Sequence, residues 1–133
     1  MAITFALIKE RKNPPDRRVV FSPIMCQEVI KKYPDAQIIA ETSDIRIFKD
    51  EAYRKAGVEI QEDISDANVL LGVKEVPVEA LIPHKKYFFF SHTIKKQPYN
   101  RELLQAILQK KIELYDHETI TKKNGSRLIG FGR

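Results

Sequence analysis

The sequence has little of what marks several large protein classes. Its single cysteine, Cys26, excludes an internal disulfide framework and is typical of a reducing compartment. No apolar run approaches the ~18 residues that a membrane span needs, and the first residues lack the basic and apolar regions of a secretion signal. We therefore expect a protein that contacts no membrane and works in the cytoplasm.

Motifs that hold metals or nucleotides are also missing. There is no CxxC pair and no HExxH motif, so we expect no metal site. There is no phosphate-binding P-loop, and the chain has only five glycines. The tail Gly130-Phe131-Gly132 matches half of a dinucleotide fingerprint but lacks the third glycine. It therefore predicts a tight turn, and we expect no cofactor-binding residue in this chain.

Length and composition indicate a single domain, which we assign to residues 1–133. Hydrophobic residues make up 43% of the chain and charged residues 31%, which favours a globular fold over disorder. A chain of 133 residues can bury one core but is too short for a large two-domain enzyme.

The charge balance is mildly basic, with 23 basic and 18 acidic residues and a formal net charge of +5. Basic residues concentrate between Lys9 and Arg18. Nucleic acid is one interpretation and a small anionic substrate is another, but solvated faces with interleaved acids are favoured by charge patterning. No RNA- or DNA-binding motif is present, so we expect no nucleic-acid partner.

Alternating apolar segments predict an α/β fold. We expect three layers, a mostly parallel sheet flanked by helices in a flavodoxin- or Rossmann-like topology, ending in a β-hairpin at Lys123–Ser126. One helix starts at Ser22-Pro23 and has an apolar face that includes Cys26 and Tyr33. Predicted strands cover 3–8, 36–40, 58–60, 68–74, 85–91 and 112–115, and predicted helices cover 22–33, 50–56 and 98–110.

Ionisable residues follow four of these strands, at the carboxyl edge where open parallel sheets bind ligands. Lys74 directly follows an apolar strand, where burial could tune its amine for proton transfer; alternatively, its amine extends from the sheet edge into solvent. His92 is either a proton-transfer group or a buried, hydrogen-bonded histidine. Position alone leaves the alternatives for both residues open.

The remaining strand ends add further candidates. Arg18 could bind a carboxylate bidentately beside a helix start, although on position alone a surface ion pair with Asp16 is the favoured alternative. Strand alternation predicts that only one of the neighbours His117 and Glu118 faces the cleft. Glu75 directly follows Lys74.

Five stretches of the sequence occur in the order of a known family. They are Arg17–Pro23, Leu71–Glu75, Ser91–Gln97, Asp116–Glu118 and Asn124–Gly132. Over nearly its whole length the chain resembles the N-terminal domain of the alanine dehydrogenase / pyridine nucleotide transhydrogenase superfamily. Within that superfamily it is most similar to saccharopine dehydrogenase (lysine-forming) and lysine–ketoglutarate reductase, because simple alanine dehydrogenases lack the His-Thr-Ile-Lys-x-Gln stretch.

The resemblance implies roles for individual residues. The family's acid–base pair falls on Lys74 and His92, and its substrate-carboxylate arginine falls on Arg18. Its acidic substrate-binding positions fall on Asp16, Glu75 and Glu118. In one departure, Asn13 stands where some lysine-forming members carry a basic residue, and Lys12 could take that place.

The resemblance also implies a larger enzyme. The family joins this domain to a Rossmann domain that binds NAD or NADP, with the active site between them, and members can form homo-oligomers. The implied reaction joins lysine and 2-oxoglutarate to give saccharopine, so this chain would be the substrate-binding half, from a truncated protein, a fragment or a split gene. A relative acting on alanine, a transhydrogenase subunit and a non-enzymatic ligand-binding module remain alternatives.

Overall fold

A computed structural model describes residues 3–12, 14–91, 100–126 and 128–129 of the chain. Strands and helices alternate through it, which confirms the predicted α/β fold. The strands are β1 (Ile3–Leu7), β2 (Ala36–Glu41), β3 (Glu59–Gln61), β4 (Val69–Lys74), β5 (Lys86–Phe90) and β6 (Glu113–Asp116); the helices are α1 (Pro23–Lys32), α2 (Asp50–Lys55) and α3 (Arg101–Gln109). Short 3₁₀ turns lie at Val78–Ala80 and His117–Thr119.

The six strands form one sheet in the order β3-β2-β1-β4-β5-β6, and every neighbouring pair is parallel. The chain builds outward from β1 in one direction to β3, then crosses over and builds outward from β4 in the other direction. This reversal places β1 and β4 side by side at the centre, where open α/β sheets bind ligands beyond the carboxyl ends of their strands.

Helix α1 begins where the sequence predicts. The Ser22 Oγ accepts a hydrogen bond from the Met25 backbone N–H at 3.3 Å, and Pro23 is the first helical residue. Cys26 is fully buried, which confirms it as a core residue, and burial raises the pKa of its thiol to about 11. The prediction for Tyr33 was wrong: it is 55% exposed, because it caps the helix with φ −124° and helical spacing no longer orients it.

Glycines mark two predicted turns. Gly57 follows α2 with φ +94°, the left-handed conformation of a helix C-terminal cap. Gly125 has φ +87° in the turn predicted near the C-terminus, where the Lys122 N–H donates to the Ser126 carbonyl at 2.8 Å. Within the described part of the tail, this turn adds no strand to the sheet.

The sheet separates two apolar cores, because side chains alternate between its faces. On one face, which we call the α3 face, the buried residues include Ala6, Ile39, Leu70, Tyr87, Phe89, Leu103 and Ile107. On the other, the α1 face, they include Leu7, Cys26, Ile38, Ala40, Tyr53, Val69 and Leu71. β4 contributes to both cores and its first five residues are buried, as predicted for a central strand.

None of the helices in the described ranges is long and apolar enough to cross a membrane.

Candidate functional site

Four of the residues predicted for the site lie beyond the carboxyl ends of β1 and β4: Asp16, Arg18, Lys74 and Glu75. β1 leads into the long loop 8–22, and β4 ends at Lys74. Because the two strands are hydrogen-bonded neighbours, with Leu7 in register with Leu71, the loop passes directly beside Lys74. Residues more than 50 positions apart in sequence therefore share one edge of the sheet.

Asp16 and Arg18 form a tight pair within this loop. The Asp16 Oδ1 accepts from the Arg18 backbone N–H and from Nε, each at 3.0 Å, and Oδ2 accepts from Nη2 at 2.6 Å. These bonds from Arg18 hold the pKa of the Asp16 carboxyl below its usual range, and the charge of Lys74 adds to the effect. The ion pair that position alone favoured is therefore present, and it fixes the orientation of the guanidinium.

Lys74 is half-buried at the end of β4. Its side chain lines an open groove of about 450 Å³, and the other lining residues all come from the loop after β1: Lys12, Pro14, Pro15, Asp16 and Arg17. Lys74 makes no ion pair with any other residue that the structure describes. The groove thus presents an ammonium group beside the Asp16–Arg18 pair.

Glu75, the residue after Lys74, forms an ion pair with Lys12, which lines the groove. One of its carboxylate oxygens, Oε2, is buried and accepts no hydrogen bond from within the described ranges. A buried carboxylate oxygen without a donor is unfavourable in water-excluded surroundings, and a ligand ammonium or hydroxyl group would satisfy it.

Glu10 is a residue of this site that the sequence analysis missed. It is only 9% exposed, and its carboxylate accepts from the backbone N–H groups of Val73 at 3.0 Å and Lys74 at 2.7 Å. Burial raises the pKa of the Glu10 carboxyl above its usual value, although the two backbone bonds partly oppose this effect. The available signal was an acidic residue shortly after an apolar strand. Nothing in the neighbouring sequence showed that the Glu10 side chain contacts β4.

The second half of the edge lies at the ends of β5 and β6. Ser91 is fully buried, and the Asp116 Oδ2 accepts from both its backbone N–H, at 3.2 Å, and its hydroxyl group. The Asp116 Oδ1 accepts from the Glu118 backbone N–H at 2.9 Å. Asp116 therefore holds the residue that precedes His92 and the backbone of half-buried Glu118; His92 itself lies outside the described residues.

Strand alternation was expected to leave only one of His117 and Glu118 facing the cleft, but neither residue belongs to a strand. β6 stops at Asp116, and both residues lie in a 3₁₀ turn. His117 is 2% exposed, and its Nε2 lies 2.9 Å from the Gly72 carbonyl oxygen, so Nε2 carries the proton that it donates. Burial lowers the pKa of this imidazole, which keeps it neutral near pH 7.

No group of three histidine, cysteine or acidic side chains in the described ranges could hold a metal ion. A second groove, of about 460 Å³, lies on the α1 face between Phe5, Val29, Leu71 and Phe88. Most of its lining is apolar, although Tyr33 and Asp35 also line it. The groove at the carboxyl edge is lined instead by several charged residues, namely Lys12, Asp16, Arg17 and Lys74.

Comparison with known sequences and structures identifies the relatives of the chain. A family model described as alanine dehydrogenase/PNT, N-terminal domain, matches residues 6–132. The chain is 40% identical over 128 residues to the mitochondrial alpha-aminoadipic semialdehyde synthase of Bos taurus, covering 96% of this chain and 14% of that protein. It is 30% identical over 138 residues to the NAD(+)-dependent, L-lysine-forming saccharopine dehydrogenase of Candida glabrata, covering 99% of this chain and 36% of that protein.

Two solved structures share the fold. An L-alanine dehydrogenase superposes with a TM-score of 0.74 at 21% identity, over 93% of this chain and 35% of that one. A transhydrogenase from Sinorhizobium meliloti superposes with a TM-score of 0.73 at 16% identity, over 90% of this chain and 36% of that one. The chain thus spans about a third or less of the length of each of these relatives.

Proposed function

We propose that this chain, which belongs to the alanine dehydrogenase/PNT N-terminal domain family, is the substrate-binding half of an NAD(P)-dependent amino-acid dehydrogenase. The proposed reaction is the interconversion of lysine plus 2-oxoglutarate with saccharopine. The observation that carries the proposal is the groove that Lys74, at the end of β4, lines together with Lys12 and Asp16 from the loop after β1. Arg18 is ion-paired with Asp16, and Glu75, the residue after Lys74, is ion-paired with Lys12. Similarity to a saccharopine dehydrogenase supports the choice of substrates.

The groups in this groove match the charges of the substrates. 2-Oxoglutarate brings two carboxylates, and an arginine held in a fixed orientation is suited to bind one of them in a bidentate manner. Lysine brings an amine that is cationic in water, and acidic residues at Asp16, Glu75 and Glu118 would attract it. The net charge of +5 is small, which agrees with a few placed cations for an anionic substrate better than with a broad polyanion surface.

Reductive amination also needs protons to move at the reacting atoms. Carbinolamine formation and loss of water each transfer protons to or from oxygen and nitrogen before the imine is reduced. The Lys74 amine faces the groove and is our proposed proton carrier there, with His92 as its proposed partner. Asp116 supports this assignment indirectly, because it anchors Ser91 immediately before His92.

The nicotinamide nucleotide would supply hydride when bound, but the sequence of the loop after β1 differs from a pyrophosphate-binding turn. The loop 8–22 between β1 and α1 contains no glycine and carries two consecutive prolines. We therefore assign nucleotide binding to a further domain of the longer enzyme, and we expect the choice of NAD or NADP to be made there.

Calorimetric titration of this chain with saccharopine, 2-oxoglutarate, lysine and pyruvate tests the proposal. We expect saccharopine and 2-oxoglutarate to bind, and Arg18→Met to weaken binding by about tenfold to a hundredfold, the loss typical of a charge-assisted hydrogen bond. Arg11→Met is a matched control, because Arg11 pairs with Glu41 outside the groove. Absence of binding by every dicarboxylate would contradict the proposal.

The same titration separates the proposed reaction from that of an alanine-type relative. Pyruvate carries one carboxylate and no second anchor, so a domain built for alanine would bind it at least as well as 2-oxoglutarate. In an enzyme that contains both domains, lysine plus 2-oxoglutarate should oxidise the reduced nucleotide, whereas pyruvate plus ammonia should not. The opposite preference would assign the chain to the alanine branch.

A further inference from the structure

Strand β4 carries an irregularity immediately before Lys74. Leu71 and Lys74, three positions apart on β4, are in register with Phe88 and Phe90, which are two positions apart on β5. One extra residue is therefore accommodated at the Gly72–Val73 step, as in a β-bulge. A bulge frees backbone polar groups from the ladder and changes the direction of the side chains that follow it.

Groups from two other parts of the chain satisfy those backbone atoms. The Glu10 carboxylate accepts from the Val73 and Lys74 N–H groups, one on each oxygen, at 3.0 and 2.7 Å. On the opposite side of the step, the His117 Nε2 donates to the Gly72 carbonyl at 2.9 Å. Both side chains are buried, and both come from outside β4.

Glycine at position 72 leaves room for the close approach of these groups. A Cβ there would lie 2.7 Å from the Ile8 Cδ1 and 3.3 Å from the Glu10 Oε2. The first distance is far inside van der Waals contact, so either the Ile8 side chain or the bulge would have to move. Gly72 and Glu10 thus form one closely packed unit.

Glu10 is placed as a hydrogen-bond acceptor for the backbone. It makes no ion pair with any residue in the described ranges, although Asp16 and Arg18 act on it electrostatically. A carboxylate that desolvation already penalises is stabilised by two N–H donors, so breaking this contact would be costly on both sides.

We propose that Glu10 and His117 are positioning residues that clamp the β4 bulge and thereby aim the Lys74 amine into the groove. The clamp itself rests only on the geometry described here. Its consequence for turnover rests on the proposed acid–base role of Lys74.

Nuclear magnetic resonance of the 133-residue chain tests the clamp without any substrate. The Val73 and Lys74 amide signals should follow a single common titration in the wild type, since one carboxylate accepts from both. Glu10→Gln should abolish that titration and shift the signal of a ¹³C-methylated Lys74 amine. Glu41→Gln is the matched control, because Glu41 is another buried glutamate at the carboxyl edge that bonds Lys9 and Arg11 and not β4.

A second variant tests the clamp independently in case Glu10→Gln does not fold. His117→Phe removes the donor to Gly72 and should also shift the Lys74 amine signal, whereas His84→Gln, at an exposed histidine, should not. The proposal is overturned if both clamp variants leave the Lys74 signals in place, or if the Glu41 control moves them equally.

Kinetics of an enzyme that contains both domains extends the test to function. A displaced Lys74 amine should lower kcat by about 10²-fold with little change in KM, the loss expected for a small misplacement of a reacting group. If kcat is unchanged while the resonance signals move, the clamp stands and the proposed role of Lys74 fails. If neither changes, the clamp itself is wrong.

Discussion

The ends of β2 and β4 each involve a buried glutamate, and the two carboxylates are satisfied in different ways. Glu41, the last residue of β2, accepts from both terminal nitrogens of Arg11, at 3.0 and 2.5 Å, and from the Lys9 N–H at 2.7 Å. Glu10, in the loop after β1, accepts from the backbone N–H groups of Val73 and Lys74 at the end of β4. The first carboxylate pairs with a side chain of opposite charge, whereas the second makes no ion pair with any residue that the structure describes.

This difference extends to the residues around them. Beyond β2, Arg46 is buried and pairs with Asp50 at 3.0 Å while lying 5.0 Å from the ring of Tyr53. These charged groups contact one another and stabilise the fold. Beyond β4, Lys74 makes no ion pair and Glu75 keeps one buried oxygen without a donor, as far as the described ranges show. Among the described residues, the charges beyond β2 are therefore more fully paired with one another than those beyond β4, which supports the proposal that the β4 end binds a ligand.

The largest expected effect comes from removing the Lys74 amine. In an enzyme that contains both domains, Lys74→Met should lower turnover of lysine plus 2-oxoglutarate by roughly 10²- to 10⁴-fold, the usual contribution of a general acid–base group. Arg11→Met, at the structural end, should leave turnover near wild type. Steady-state oxidation of the reduced nucleotide measures the turnover of both variants. An equal loss of turnover in Lys74→Met and Arg11→Met would show that the ends of β4 and β2 do not differ in function.

The next effect tests packing at the end of β4. Gly72→Ala places a methyl group 2.7 Å from the Ile8 Cδ1 and should lower the free energy of unfolding by about 1–3 kcal/mol, as overpacking does. Gly125→Ala is strained by its φ of +87° but meets open space, so it should destabilise the chain without disturbing the Lys74 signals. Urea denaturation measures the loss of stability in each variant. Amide spectra then show whether the Lys74 signals move, which we expect for the steric clash in Gly72→Ala and not for the backbone strain in Gly125→Ala.

A smaller effect is expected at the end of β2. Arg11→Met leaves the Glu41 carboxylate with one backbone donor and should lower the free energy of unfolding by about 1–2 kcal/mol, because Arg11 is partly exposed and its bond is screened by water. Urea denaturation at neutral pH measures the change. A stability equal to wild type would show that this pair is no more than a surface contact.

The smallest effect is a pH dependence of stability that Glu10 should produce. Burial raises the pKa of Glu10 in the folded chain, so the folded state binds its proton more tightly than the unfolded state does. The contribution of Glu10 to stability is therefore greatest at acidic pH and falls as pH rises from about the usual carboxyl value through the raised one. In Glu10→Gln this decline should vanish.

Urea denaturation of wild type and Glu10→Gln between pH 4 and pH 7 checks the sign. The stability difference should shift in favour of the variant as pH rises. A shift in favour of the wild type would mean that Glu10 is stabilised as an anion in the folded chain, as an ion-paired carboxylate would be.

Local pattern was enough to predict most of the fold. Apolar runs placed all six strands within a few residues, and Ser22-Pro23 and Gly57 marked helix ends correctly, because capping and chain geometry depend on near neighbours. The prediction for Tyr33 was wrong because this residue lies one position past the helix whose spacing was applied to it. His117 lies one position past its strand, so strand alternation does not decide its orientation.

The candidate site was predictable only in part. Lys74, Arg18 and Asp16 were found because charges at strand ends are visible in one dimension, whereas Glu10 was missed because its partners lie 63 and 64 residues away. The assignment of roles to these residues, and to His92 outside the described ranges, stays a prediction. No single strand pattern reveals a bulge, since a bulge is a mismatch between two strands.

The sequence by itself determined which segments become strands and helices, and which strands end in charged residues, because hydrophobic periodicity and turn chemistry act over a few positions. The tertiary structure decided which strand ends meet. It placed β1 against β4 and paired some charged side chains, such as Arg11 with Glu41. It also brought the Glu10 carboxylate within hydrogen-bond distance of the Lys74 backbone N–H. Those choices depend on strand order and register, which only the packing of distant segments on the two faces of the sheet can fix.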